Sequence, residues 1–160
     1  MTARISLAAV GGFILGIIVM SLITFTGAPE LMVIEDESRH SFDETIELVE
    51  NKAEEKGWEV PNVHMLHEPV RAEGYDVQRV AVIELCQPHH AAEILADDRA
   101  KVVTSMMPCR ISVYETEDDR VIVSRMNTRM MAEMFGGTVA EVMSAATEEV
   151  EAVLAAVLGD

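Results

Sequence analysis

Val80-Ala81-Val82-Ile83-Glu84-Leu85-Cys86-Gln87-Pro88 reads as a strand that stops and turns directly into a helix. Val80 to Ile83 are apolar on both alternating faces, the pattern of a central strand covered on both sides, expected over 77–85. Pro88 falls where proline suits the first turn of a helix, because its missing N–H needs no partner there; that helix is expected over 89–96.

On the amino-terminal side, Ser41-Phe42-Asp43-Glu44 forms a capping box, with Phe42, Ile46, Val49 and Ala53 recurring at helical spacing. Gly57 stands where a left-handed stop is expected. Residues 58–65 read as extended, with Pro61 marking an edge. On the carboxyl-terminal side, residues 97–108 read as a loop. Two β-rich runs, 110–115 and 121–125, are joined by a five-residue polar segment and form a hairpin. Asn127 or Thr128 caps a short helix that Gly136-Gly137 ends. Thr138-Val139-Ala140-Glu141 is a second capping box, before a last helix striped by Val142, Met143, Ala146, Val150, Val153, Leu154 and Val157. The fold class is therefore α+β, one small domain with a mixed or antiparallel sheet packed by helices.

From Ile5 to Phe25 the chain carries no charged side chain. At 1.5 Å per residue such a stretch covers a hydrocarbon core of about 30 Å, so one transmembrane helix is expected ahead of the domain. Arg4 before it and Glu30, Glu35, Asp36 and Glu37 after it favour a cytoplasmic amino terminus and a periplasmic or extracellular body. A cleaved secretory signal is the rival, although the apolar run exceeds the usual ~7–15 residues and Pro29 follows the best cleavage-like site, Thr26-Gly27-Ala28. The expected organisation is an anchor over 1–26, a linker over 27–37 and a domain over 38–160. Gly12 and Gly16 form a small-xxx-small pattern suited to close helix packing in the membrane.

All 28 acidic residues follow Pro29, with eleven of the twelve Lys and Arg. A body this negative is repelled by nucleic acid and by anionic headgroups, which excludes nucleic-acid binding.

Cys86 and Cys109 each lie at an expected strand end beside a proline. If those strands are antiparallel neighbours their sulfurs could meet, and in an oxidising compartment two cysteines most simply form one disulfide. Closing the roughly 22-residue loop would stabilise by about 3 kcal/mol. The sharper alternative is a low-pKa thiol at Cys86, favoured by the following helix amino terminus and by Arg110. His89, His90, Glu93, Met106 and Arg110 are candidate ligand or metal residues around that pair. Imidazole, thiolate and thioether suit copper or haem iron, although no cofactor is the leading expectation and the covalent haem signature is absent. His64 and His67 would converge only in a turn. No phosphate-cradling loop, metalloprotease helix or nucleophile elbow is present, so no catalytic residue is assigned.

The helix start at Ser41 to Thr45, the strand ending at Cys86 with Pro88 two later, Met107-Pro108-Cys109-Arg110 entering a strand that closes in Val113-Tyr114-Glu115, and Met126-Asn127 before a helix resemble the family called domain of unknown function 302, over about residues 38–158. Gln87 departs from the Asn that members typically show there. The resemblance implies a compact α/β sandwich-like domain, often a homodimer and often secreted or membrane-anchored. It also implies a redox or sulfur-metabolism setting, because relatives accompany thioredoxin-like, rhodanese-like and cytochrome domains. The functional expectation is an anchored extracytoplasmic accessory or binding module with a redox protein partner. The alternatives are a thiol or metal redox protein using Cys86 and Cys109, or a structural subunit of a membrane complex.

Overall fold

The structure, a computed structural model, describes residues 12–22 and 31–159. The chain falls into two units, Met1–Val33 and Ile34–Asp160. The span expected over 5–25 lies partly outside the described residues. Residues 12–22 of it are helical and exposed, Gly12 and Gly16 have open space where a Cβ would stand, and no described helix is long and apolar enough to cross a membrane.

The second unit carries, from Ile34 on, β1 (Val33–Ser38), and then α1 (Phe42–Glu55), β2 (Val63–Met65), α2 (His67–Ala72), β3 (Val80–Leu85) and α3 (Pro88–Ala96). A 3₁₀ turn (Ala100–Met106), β4 (Cys109–Glu115), β5 (Val121–Met126), α4 (Thr128–Phe135) and α5 (Gly137–Leu158) follow. The strands form one five-stranded sheet in the order β1-β5-β4-β3-β2. The β2–β3, β3–β4 and β4–β5 pairs are antiparallel, so the sheet takes the antiparallel form of the expected α+β class.

Successive side chains on a strand point to opposite faces, and the register aligns one face across the sheet: Val63 with Ile83, Ile83 with Ile111, Val113 with Val123. Onto this face pack Phe42, Ile46, Val49 and Ala53 of α1 and Val150, Val153, Leu154 and Val157 of α5. Leu85, Val113 and Val123 are wholly buried while Val80, Val82 and Glu84 are only half-buried. The expectation of a β3 covered on both sides is therefore corrected to one covered face, because both long helices lie on the same side of the sheet.

The Ser41 cap forms, its hydroxyl accepting from the Glu44 N–H at 3.4 Å, and Gly57 stops the chain at φ +80°. Asn127 likewise caps α4, accepting from the Met130 N–H. The second capping box does not form: α5 starts at Gly137, and Thr138 donates instead to Asp97 Oδ2 at 3.0 Å. The supposed loop 97–108 contains the 3₁₀ turn, and α2 occupies a stretch for which no helix was expected.

Part of the expected linker 27–37 is the edge strand β1. Its inward residues tie it to the domain. Asp36 meets the Arg125 guanidinium, Ser38 shares a 2.8 Å hydrogen bond with Thr45, and on the other face Tyr114 donates to Glu35 at 2.7 Å.

Candidate functional site

The end of β3 and the start of α3 fix one wall of a cavity. Gln87 occupies the α3 cap position without capping it; its amide donates to Gly57 O at 3.1 Å, which ties the turn to the end of α1. The backbones of Glu59 and Cys86 bond each other at 2.8 and 2.9 Å, bringing Trp58 under the same turn. Leu85 is the register partner of Cys109, so β4 begins directly opposite. Across from this wall, Ile94, Ala100, Val103, Val139 and Val142 make a second small core, with Met106, Met107 and Met143 packed against it. Between the two cores lies a largely apolar cavity of about 260 Å³. Trp58, Cys86, His90, Met106, Met107 and Cys109 line it, with Met131, Met143 and Arg125 from the elements that follow.

Both cysteines are free. No disulfide joins them, where one was expected. Cys109 is level with Leu85, which leaves Cys86 one residue beyond, in the opposite phase of the pleat. Burial pushes the Cys86 thiol up, with the Glu59 carboxylate adding to the shift. Burial does the same to Cys109, and neighbouring Cys86 contributes. Both shifts favour the protonated thiol, the opposite direction to the low-pKa thiol expected at Cys86. Arg110, expected to activate Cys86, pairs instead with Glu84 at 3.5 Å.

At one side of the cavity a polar relay joins three elements. Trp58 Nε1–H donates to Glu149 Oε2 at 3.0 Å, and Glu149 Oε1 lies 3.1 Å from His90 Nε2. The His89 and His90 rings follow at 3.9 Å between centroids. His90 is only 8 % exposed, and its Nδ1 is buried with no partner among the described residues. A bare polar atom of this kind costs roughly 1–3 kcal/mol unless a water, ion or ligand relieves it.

The structure sorts the remaining candidates. Met106 lines the cavity, whereas Glu93 is exposed and outside it. Among the described residues, one group of three His, Cys, Asp or Glu donors has its ligand atoms within 4.8 Å of one another: His89, His90 and Glu149. The cysteines are not in that group, so the expected copper or haem donor set of Cys86 and Cys109 with a histidine is not assembled. His64 and His67 do not converge: His64 faces Glu84 at 3.2 Å, while buried His67 turns its Nδ1 to the Val80 backbone, 3.0 Å from the carbonyl O and 3.2 Å from the N. Sequence reasoning missed Trp58 and Glu149. Glu149 is one carboxylate among many on α5, and its partners lie 59 and 91 residues away.

The family described as "Domain of unknown function DUF302" matches residues 34–157. No curated protein matches the chain. A solved structure titled as an uncharacterized conserved DUF302 protein from Bacillus stearothermophilus superposes with a TM-score of 0.71 at 20 % identity. The match covers 79 % of this chain and 98 % of that one, and it shows a shared fold.

Proposed function

Because the chain belongs to the DUF302 family, whose description assigns no reaction, we propose its function from the cavity: the domain is a binding module for a small, mostly apolar ligand. The wall of Trp58, Cys86, Cys109 and five methionines is the observation that carries this reading. Apolar walls with a few polar groups are what small-molecule sites present. A volume of about 260 Å³ falls just under the roughly 300–1,000 Å³ of drug-sized sites, so the ligand is compact. Methionine thioethers are polarizable and adapt to irregular shapes. The protonated thiols act here as wall rather than as nucleophile, because only the thiolate attacks.

In this proposal the uncharged stretch 5–25 holds the domain at the outer face of a membrane. There it serves as an accessory in a sulfur- or redox-linked pathway, a setting that the family resemblance favours. The single tryptophan lines the cavity and supplies the assay. Titrating the full chain with toluene, a compact apolar probe, should change Trp58 emission saturably. In Ala91→Phe, which fills the cavity from α3, the change should be lost. A folded wild-type chain whose emission ignores the probe, or an A91F variant that responds as strongly, removes the reading.

A further inference from the structure

Beyond the apolar cavity, we infer that His89, His90 and Glu149 form a binding site for a divalent transition cation of the zinc class. Two histidines and one carboxylate are the donor chemistry of open zinc centres, in which three protein ligands leave a coordination position free.

The geometry agrees with that set. His90 Nε2 and Glu149 Oε1 are 3.1 Å apart. Two donors at about 2.0–2.1 Å from one cation and so spaced subtend roughly 100° at it, between octahedral and tetrahedral values. The ligand atoms of all three residues lie within 4.8 Å of one another, wider than the roughly 3.3 Å between tetrahedral neighbours at those bond lengths. His89 is exposed at the start of α3, so its ring can turn inward to close that difference.

The surroundings of the donors carry the inference further. The Trp58 indole N–H holds Glu149 by Oε2 and leaves Oε1 directed at His90. Ligating carboxylates are commonly held by such an outer hydrogen-bond donor. The His90 side chain is only 11 % exposed; its Nε2 meets Glu149, and its Nδ1 is buried with no partner among the described residues. A cation bound through Nε2 and Glu149 Oε1 takes the place of the hydrogen bond between them, and Nδ1 then carries the ring proton.

The test is stoichiometric uptake of Co²⁺ and Zn²⁺ by the full chain after stripping with chelator, read by metal analysis and by the visible absorption of bound Co²⁺. One cation per folded chain is expected. His89→Ala and Glu149→Gln should each weaken it at least tenfold, in line with the sensitivity of metal sites to lost ligands and supports. Glu93→Gln and the Cys86→Ser/Cys109→Ser pair should bind as the parent does. Thermal midpoints of the metal-free variants show whether each is folded; His89 is exposed, and Gln at 149 still accepts from Trp58. The inference is overturned if the folded parent takes up no stoichiometric cation, if H89A and E149Q bind unchanged, or if loss follows the cysteines alone.

Discussion

Replacing Arg125 by Met should destabilise the domain by about 2–3 kcal/mol. Arg125 is on the covered face of the sheet, level with Ile111, and its side chain is only 9 % exposed. Its guanidinium grips Glu151 with two bonds, Nε to Oε1 at 2.9 Å and Nη2 to Oε2 at 2.6 Å, and meets Asp36 of β1 through Nη1. One side chain thereby joins the edge strand, β5 and α5. Breaking a buried ion pair typically costs about 3–5 kcal/mol, because the abandoned charge is left without compensation. Here the abandoned groups are Asp36 and Glu151, 45 % and 39 % exposed, so water relieves part of that cost and the figure comes down. Urea unfolding followed by Trp58 emission gives the measurement, with a lowered midpoint and an unchanged slope. For a domain of this size the loss corresponds to roughly 8–12 °C in Tm. Adding Glu151→Gln should restore part of the loss, since one stranded charge then disappears. A change below about 0.5 kcal/mol in R125M would refute the idea that this cluster fastens β1 to the domain.

Other consequences are more local. Leu154→Ala, at a site 1 % exposed, should cost about 2–5 kcal/mol in the same unfolding assay, the range for emptying a packed leucine site. Gly57→Ala should cost about 1–2 kcal/mol because φ is +80° there, and a neutral result would show that the turn relaxes. Tyr114, pushed up to about 12 by burial and then by its bond to Glu35, contributes stability that is complete below its ordinary 10 and is lost as pH rises from about 10 to about 12. Tyr114→Phe should flatten that alkaline limb of a Tm-against-pH curve. Asp118, drawn down to about 2 by Arg120 and then Thr116, works in the opposite sense: its contribution is present above 3.8 and fades as pH falls towards about 2, which Asp118→Asn should abolish. Burial of the two thiols predicts alkylation at neutral pH slower than that of a free cysteine; labelling at the unhindered rate would count against the protonated wall.

The elements with strong local chemistry were legible in the sequence. Ser41 and Asn127 cap as read, the stripe from Val142 to Val157 is the buried face of α5, and the hairpin closes around Thr116 to Arg120. β1 was not legible, because Val33 to Ser38 carries three acidic residues and a serine in six and reads as solvated chain until Arg125 and Tyr114 are seen to meet Asp36 and Glu35. Thr138 gave a false cap because its better partner, Asp97, is 41 residues away. At the site, the cysteine-proline elements singled out in the sequence line the cavity. The register that sets Cys109 opposite Leu85 rather than Cys86 is one that no sequence spacing reveals. Glu93 was the obvious carboxylate near His89 in sequence, yet the fold brings Glu149 to the histidines instead.

The claim that the cavity is a ligand site is tested most directly by labelling the methionine methyl groups with ¹³C and following their NMR signals during the toluene titration. Met106, Met107, Met126, Met131 and Met143 line the cavity, while Met134 on α4 is 81 % exposed. Saturable shifts of those five signals, with Met134 unmoved, are the predicted result. Signals that all drift together, or none that move while the domain stays folded, would contradict it.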